Sequence, residues 1–319
     1  SQDEYEATHV YVPFSDYEKQ LTLGIASGEL PDLVILDGCS MASFIQLGLF
    51  GDISDADINW DEYIEGPLES TMMDGKHYGI PFATNCTALF YNKDLFDEAG
   101  IDYPAENTTW DEFHEMAKAL TKDGVYGFGN AATNTDEGTF QCLQWIYTAG
   151  GSYTDIEDGV DAYKLMQEMI EDGSWTKECV NWTQADAWNQ FCAGKAAFAE
   201  CGTWHLAQTD AINGAFEYDF TLLPTGDKGT STSTIGGENF GICKGTENKE
   251  ACVKFLEWLC SQENEAKWAA VGGKIPTRQD ATAEYTFEQD GFKVFTDEMN
   301  YAQARGPHAE WPSISEAVY

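Results

Sequence analysis

Several polar and aromatic side chains stand directly after predicted strands, where they could contact a ligand. Asp37 follows an apolar run of strand length, and Trp204 follows another strand. Asn85 lies in a short polar link between extended segments, and Glu238 and Asn239 follow two adjacent glycines. Carboxylates and amides exchange hydrogen bonds with hydroxyls, and an indole face covers apolar ring surface. These side chains could line a ligand-binding site, although Asp37 could equally be a helix N-cap.

No motif in the sequence fixes a catalytic centre. The chain has no GxSxG, no HExxH and no phosphate-binding loop. Its 55 acidic residues leave open an enzyme with paired carboxylates, such as a glycoside hydrolase. The nine cysteines form no CxxC pair, and the spacings of Cys192 with Cys201 and of Cys252 with Cys260 do not indicate zinc. We therefore predict neither a metal nor a cofactor.

The charge of the chain narrows the class of ligand. Its 55 acids outnumber 17 bases, which gives a formal net charge of -38, and Arg278 and Arg305 are its only arginines. Nucleic acids are bound by clustered Lys and Arg, and phosphorylated ligands favour Arg forks. The composition therefore argues against both, and a neutral or cationic ligand fits better. Solubility alone also explains the acidity.

Length and hydropathy bound the architecture. A chain of 319 residues exceeds what one core usually covers, so two lobes are expected. No run of about 18 apolar residues exists, so no transmembrane helix is predicted. The first residues are polar and acidic. An export signal is therefore expected to lie outside this sequence.

The elements that must position these residues alternate between strand and helix. The pattern predicts a strand at 9–13, a helix to about residue 27 that starts with a capping box at Ser15, the strand Leu33–Leu36 and a second helix. This β-α-β-α order predicts a parallel sheet with helices on its faces. Ligands bind at the carboxyl ends of such strands, where Asp37 stands.

The stretch from Tyr78 to Asp102 predicts a passage between two buried segments. Residues 78–82 read as extended because Pro81 fixes φ, and residues 88–91 read as a buried strand. Asn92 is a predicted helix N-cap. The polar link between them, residues 83–87, must find hydrogen-bond partners. It is either a satisfied loop or a crossing between two lobes that faces a cleft.

A set of motifs in fixed order resembles the solute-binding proteins of ABC importers, in the family that includes the maltose-binding proteins. The set runs across nearly the whole chain and consists of ASGELPDLV at 26–34, YGIP at 78–81, LFYNKDLF at 89–96, TWDE at 109–112, GKAAF at 194–198, GTW at 202–204, GG at 236–237 and NKEA at 248–251. Each motif is weak alone, and the ordered set is specific.

The resemblance implies a periplasmic-binding-protein-like fold, with two α/β lobes joined by hinge crossings around a cleft. The crossings would be Thr84–Cys86, the segment before Glu238, and Gly272–Pro276. Lobe one would comprise residues 1–83 and 238–275, and lobe two residues 84–237 and 276–319. By the family pattern, lobe one is expected to lack its first strand and helix in this sequence.

The same resemblance implies a set of ligand-binding residues. In the family an aromatic residue at the position of Trp204 stacks on a sugar ring, and a polar residue at that of Asn85 faces the ligand. Packing in the lobe-two core and a hinge amide are the respective alternatives. The further candidates are Asp37, Gln141, Trp145, Glu238, Asn239, Arg305, His308 and Trp311. Core packing is the alternative for Trp145, and a salt bridge for Arg305.

The implied function is non-catalytic capture of a neutral mono- or oligosaccharide, with an oligosaccharide favoured, for delivery to ABC permease subunits in the membrane. The resemblance further implies a monomer outside the cytoplasm, either a cell-surface lipoprotein or a periplasmic protein, with no nucleic-acid partner. A glycoside-processing enzyme and the sugar-sensing domain of a signalling receptor stay open as alternatives.

Overall fold

The computed structural model describes residues 6–226, 231–284 and 291–318. Its strands are β1 (Leu33–Asp37), β2 (Met72–Met73), β3 (Lys76–His77), β4 (Gly79–Asn85), β5 (Thr87–Asn92), β6 (Tyr126–Gly129), β7 (Ala196–Gly202), β8 (Tyr218–Thr221), β9 (Thr234–Ile242) and β10 (Gln303–Ala304). Its α-helices are α1 (Phe14–Ser27), α2 (Gly38–Gln46), α3 (Glu65–Glu69), α4 (Lys93–Ala99), α5 (Trp110–Leu120), α6 (Asp136–Ala149), α7 (Val160–Asp172), α8 (Gln184–Cys192), α9 (Lys249–Leu259), α10 (Gln262–Gly272), α11 (Gln279–Glu284), α12 (Phe292–Glu298) and α13 (Trp311–Val318). Short 3-10 helices cover Trp60–Glu62, Glu157–Gly159, Lys177–Asn181 and Thr203–Ile212.

The strands form two main sheets, each with its own core. In the first sheet, β1 and β4 pair antiparallel with β9, and β10 pairs in parallel with the start of β9. In the second sheet the order is β6-β7-β5-β8, with only the β6-β7 pair parallel. The predicted parallel sheet is wrong because β9, from far along the chain, lies between β1 and β4. The predicted α/β class with two lobes is confirmed.

The chain passes from the first sheet to the second at Cys86. β4 ends at Asn85 and β5 begins at Thr87, and the two strands belong to different sheets. The polar residues of this passage are fully buried, and their backbone is extended. They are therefore not a loop, because strand pairing satisfies their backbone groups.

The other two predicted crossings lie beside this passage. In the β4–β9 register, Thr84 stands opposite Gly237 and Asn85 opposite Gly236. The Thr84 amide donates to the Ile275 carbonyl at 2.8 Å, and the Ile275 amide donates back at 2.9 Å. The three segments thus form one hydrogen-bonded strip between the sheets. The predicted lobe boundaries stay a prediction, and β9 runs without a break past residue 238.

Hydrophobic residues fill both sides of the second sheet and the helix-facing sides of the first. One large cluster packs α5, α6 and α7 against β5, β6 and β7, and it also takes in Cys39 of α2. The α13 helix contacts both α6 and α2. Through these contacts, α13 links α2, which packs on the first sheet, to α6 of the large cluster.

Local signals predicted some helix ends and missed others. The sequence predicts a capping box at Thr109 and an N-cap at Asn92, and both are confirmed. The strand predicted at 9–13 is wrong, and α1 begins at Phe14 after Pro13, one residue before the predicted cap. The sequence also predicts one long helix over 248–271, where the structure has two helices, α9 and α10. No helix in the described ranges is long and apolar enough to cross a membrane.

Candidate functional site

A cavity of about 420 Å³ lies between the two sheets, next to the crossing strip. Its volume falls within the range of small-ligand sites. Five of the predicted residues line it: Asp37, Asn85, Trp204, Glu238 and Arg305. They come from distant points of the chain, and the ends of β1, β4, β7 and β10 and the middle of β9 bring them together.

Arg305 joins the two sides of this cavity. Its Nη2 donates to both carboxylate oxygens of Asp37, at 2.9 and 2.8 Å, and its Nη1 donates to Asp136 at 2.7 Å. The guanidinium lies 4.5 Å from the centroid of the Phe140 ring and is almost fully buried. A planar fork suits this double recognition, because each carboxylate takes a separate edge. The salt-bridge interpretation of Arg305 is confirmed.

Asp37 also has the structural role that was its alternative. It is the N-cap of α2, and its carboxylate accepts from the Cys39 amide at 3.3 Å. The thiol of Cys39 and the carboxylates of Asp37 and Asp136 lie close enough together to hold a metal ion. Both carboxylates already bind the Arg305 guanidinium, which places a positive charge in the middle of this group. The guanidinium therefore already occupies the carboxylate oxygens that a metal ion would need.

Trp204 presents its ring to the cavity from the 3-10 helix that follows β7. A side chain at Gly202 would bring its Cβ within 2.1 Å of the ring atoms, so the glycine allows the indole to lie against the strand end. The Lys274 ammonium lies over the indole, 5.0 Å from its centroid. The same ammonium donates to Glu238 at 2.6 Å. Trp204 and Glu238 are therefore linked through one basic side chain.

Asn85 lies at the cavity wall beside a second glycine, Gly236, which leaves space for its amide. A Cβ at Gly236 would come within 2.4 Å of the Asn85 Oδ1, so a larger residue there would displace the amide. Asn85 is buried and lines the cavity wall at the crossing strip. Both a hinge role and a ligand role are compatible with this position.

Burial shifts the protonation of two further groups in the wall. Burial, with a smaller contribution from the Lys274 charge, lowers the pKa of His205 to about 3. Burial also raises the pKa of Glu137, against the effect of the hydrogen bond that its carboxylate accepts from the Gln184 amide at 2.8 Å. His205 is therefore a neutral imidazole at physiological pH.

The other predicted residues lie away from the large cavity. Asn239 lines a small neighbouring cavity of about 70 Å³ and donates to the Ser70 hydroxyl at 2.9 Å. Gln141 and Trp145 are buried in the lobe core, where both bind Glu200. The core interpretation of Trp145 is therefore confirmed.

The two candidates near the end of the chain, His308 and Trp311, form hydrogen bonds within the protein and do not line the cavity. His308 is exposed and accepts from the Glu310 amide at 3.0 Å. Trp311 is buried, and its indole N–H donates to Asp136 at 2.8 Å. It thereby helps to orient the carboxylate that binds Arg305. Direct ligand contacts by the predicted residues stay predictions.

Sequence reasoning missed several residues that line the cavity. They are Phe14, Asp136, Glu137, Phe140, Thr183, Gln184, Ala185, His205, Gln208 and Lys274. A signal existed for Lys274, because it is a basic residue within a predicted crossing of a base-poor chain. A weaker signal existed for Asp136, an acid just before the helix that the sequence pattern predicts at 139–149.

The profile of the bacterial extracellular solute-binding proteins matches residues 2–293. The chain belongs to this family. Members are binding proteins found outside the cytoplasm. Their solute-binding role agrees with a cavity between two sheets joined by a strip of crossings.

Relatives and solved structures of this family extend over most of the chain. A Brucella abortus binding protein is 27% identical over 320 residues, which cover 96% of this chain and 77% of that protein. The galactooligosaccharide-binding protein of Bacillus subtilis is 22% identical and covers 79% of this chain and 61% of its own length. A Thermotoga lettingae solute-binding protein bound to α-D-tagatose superposes with a TM-score of 0.85 at 24% identity, over 96% of this chain and 82% of that one. The shared fold of the family is therefore established for this chain.

Proposed function

We propose that this solute-binding protein captures a neutral carbohydrate, an oligosaccharide, and delivers it to the permease subunits of an ABC importer. The observation that carries the proposal is the pairing of charge inside the cavity. Among the described residues of its wall, both cationic side chains are already bound, Arg305 by two carboxylates and Lys274 by Glu238. An anionic ligand would find no uncommitted positive charge.

The remaining wall suits a sugar. Trp204 offers an aromatic ring for the apolar face of a pyranose unit. Asn85 and the carboxylates offer hydrogen-bond partners for hydroxyl groups. Relatives described as galactooligosaccharide-, lactose- and arabinooligosaccharide-binding proteins support this choice. So do related structures that hold maltose and mannobiose.

Capture would work by closure of the two lobes about the crossing strip. The strip is narrow, and its three segments are hydrogen-bonded side by side, so it can bend without breaking either sheet. A ligand held by residues of both lobes favours the closed state over the open one. The predicted boundaries, with crossings at Thr84–Cys86, before Glu238 and at Gly272–Pro276, define the two moving bodies.

Replacement of the proposed stacking residue tests this function. Calorimetric titration with maltose, lactose, mannobiose and tagatose would identify a bound sugar, and we expect Trp204→Ala to weaken its binding about tenfold or more. Trp204→Phe should retain most of the affinity because a ring remains. The control is Trp258→Ala, an exposed tryptophan on α9 that lies outside the cavity wall. Unchanged sugar affinity in Trp204→Ala would contradict the stacking role.

Three further observations separate the alternative functions. Chromatography of the incubated sugar should show no cleavage product, since a product would indicate a glycoside-processing enzyme. Genes for two permease subunits beside this gene would support transport over a sensing domain. Scattering at several concentrations should give the mass of a monomer.

A further inference from the structure

The Lys274 side chain occupies the place where the proposed sugar ring would stack. Its ammonium lies 5.0 Å from the centroid of the Trp204 ring, and both residues line the same cavity. A ring stacked on an indole needs the space from about 3.5 to 4 Å above it. The ammonium and a sugar unit therefore cannot share this face of the indole.

The backbone around Lys274 is fixed against the segment that carries Trp204. Gly273 has a φ of +64, and a Cβ there would come within 2.4 Å of the Thr203 carbonyl oxygen. The Lys274 amide donates to the Ala269 carbonyl at 3.0 Å. The following residue, Ile275, is bonded to the crossing strip. The side chain alone is therefore free to change its position.

The ammonium is held by two contacts that a ligand can replace. One is the ion pair with Glu238 at 2.6 Å, in which the Lys274 side chain is 16% and the Glu238 side chain 33% exposed. The other is the cation–π contact with Trp204. The Glu238 carboxylate keeps a third of its side chain exposed, and lysine is a flexible point charge, so the ammonium can leave both contacts and move into water.

We propose that Lys274 is a specificity-determining residue that covers Trp204 in the ligand-free protein and is displaced when a sugar ring stacks there. This inference rests on the proposed function. Displacement uncovers the indole and frees the Glu238 carboxylate to accept ligand hydroxyls. A ligand that offers both a stacking ring and hydroxyls at its rim compensates for both lost contacts. A ligand without such a ring, such as an open-chain polyol, does not.

A double-mutant cycle tests the competition. With the sugar that binds best among maltose, lactose, mannobiose and tagatose, we expect Lys274→Ala to tighten binding about threefold or more, because the indole is uncovered in advance. In the Trp204→Ala background the same replacement should change the affinity less than twofold. The control is Lys267→Ala, which removes an exposed lysine of α10 paired with Glu263. That control should leave the affinity unchanged.

A second measurement follows the ammonium itself. In the ligand-free protein, the ε-methylene protons of Lys274 should resonate upfield through the ring current of Trp204, and Trp204→Ala should abolish this shift. Saturation with the sugar should return the protons to the position of an exposed lysine. A shift that is absent at the start, or that persists at saturation, overturns the proposal.

The outcomes distinguish this inference from the proposed function. Weaker or unchanged binding in Lys274→Ala, with Trp204→Ala still impaired, refutes displacement and leaves the carbohydrate receptor intact. Wild-type affinity in Trp204→Ala, or no binding of any of these sugars, refutes the proposed function, and displacement of Lys274 by a sugar falls with it.

Discussion

Arg305 links several polar side chains around the cavity through its ion pairs and hydrogen bonds. It binds Asp37 at the end of β1 and Asp136 at the start of α6, and it lies against Phe140. The Asp136 carboxylate is in turn fixed by the Trp311 indole and the Ser315 hydroxyl. An arginine is required here because a lysine ammonium could not hold two carboxylates in one plane.

Loss of this guanidinium should destabilise the protein. In Arg305→Met, two carboxylates whose side chains are only 20% and 23% exposed lose their cation. Removing one partner from such a group costs several kcal/mol when it is buried, and their partial exposure reduces this to about 2–3 kcal/mol. Chemical denaturation followed by tryptophan fluorescence measures the free energy of unfolding.

Arg278 offers a matched control for this prediction. It is the other arginine, with a side chain that is 13% exposed and ion pairs with Glu62 and Asp280, and it lies outside the cavity wall. We expect Arg278→Met to cost less stability, since both of its partners are nearly 40% exposed. It should leave sugar affinity unchanged. Equal losses of unfolding free energy in the two variants would show that Arg305 contributes no more to stability than Arg278.

At the scale of elements, α10 and the segment after it are tied together by a buried carboxylate. Glu265 of α10 accepts a hydrogen bond from the Thr277 hydroxyl at 2.7 Å and another from the Arg278 amide at 3.0 Å. The Thr277 hydroxyl oxygen also lies 2.9 Å from the Pro81 carbonyl of β4, which is the alternative acceptor for its single proton. Glu265 thus anchors the end of the third crossing beside the first.

This anchor should make stability depend on pH. Burial raises the pKa of Glu265 from its ordinary value of 4.5 to about 7, against the effect of its hydrogen bonds. The folded state then binds the proton more tightly than the unfolded state, so its stability falls as the pH rises from about 4.5 to 7. We expect wild type to lose up to about 3 kcal/mol relative to Glu265→Gln over this range, at about 1.4 kcal/mol per unit.

Denaturation curves of both proteins between pH 4.5 and 7.5 measure this difference. Glu263→Gln on the same helix is the control, because that carboxylate is exposed and its pKa is lowered by the hydrogen bond and charge of Lys267. It should not reproduce the effect of Glu265→Gln. A constant difference between wild type and Glu265→Gln across the range would contradict the raised pKa.

Local sequence signals predicted the helices and strands better than they predicted which strands pair with each other. The passage at Thr84–Cys86 and the strand after it follow from an apolar run and a fixed proline. The antiparallel insertion of β9 could not be predicted, because it depends on residues about 150 positions away. The strand expected at 9–13 failed for a related reason: Val10 and Tyr11 are highly exposed, with no sheet edge to pair with.

The same distinction applies to the site. Trp204 and Asn85 line the cavity as predicted candidates, and Gly202 and Gly236 leave the space that these two side chains occupy. The sequence does not distinguish Trp145, which is buried in the core, from Trp204, which lines the cavity. The pairs of Arg305 with Asp136 and of Lys274 with Glu238 join separate elements, and only the fold brings them together.

At the scale of the whole molecule, Arg305 connects the two bodies that are proposed to move. The segment that carries it is held to α6 by Asp136 and by the hydrogen bond from the Tyr147 hydroxyl to the Ala304 carbonyl at 3.1 Å. Asp37 ends β1, and β10, the strand before Arg305, pairs with Thr234 and Ile235 at the start of β9. By the predicted boundaries, Asp37 lies in lobe one, whereas Arg305 and this start of β9 lie in lobe two. We therefore propose that the contact between Arg305 and Asp37 is a clasp across the cleft, which would favour the closed arrangement even before a ligand binds.

Loosening this clasp should open the ligand-free protein. Asp37→Asn keeps the α2 N-cap, because asparagine caps as well as aspartate, but it loses the bidentate ion pair with Arg305. If the ligand binds only the closed state, the apparent Kd rises as the closed fraction falls. We expect weaker sugar binding by up to about tenfold. The radius of gyration of the free protein, measured by X-ray scattering, should increase.

Asp136→Asn is the control, because it perturbs Arg305 without removing the contact between Arg305 and Asp37. It removes the other carboxylate on Arg305 but leaves the contact with Asp37, and Tyr147 still holds the segment to α6. Its free radius of gyration should therefore match wild type, and saturating sugar should bring all three proteins to the same value. If free Asp37→Asn is as compact as wild type, the contact does not set the closed fraction. Any loss of affinity then reflects a direct contact between Asp37 and the sugar.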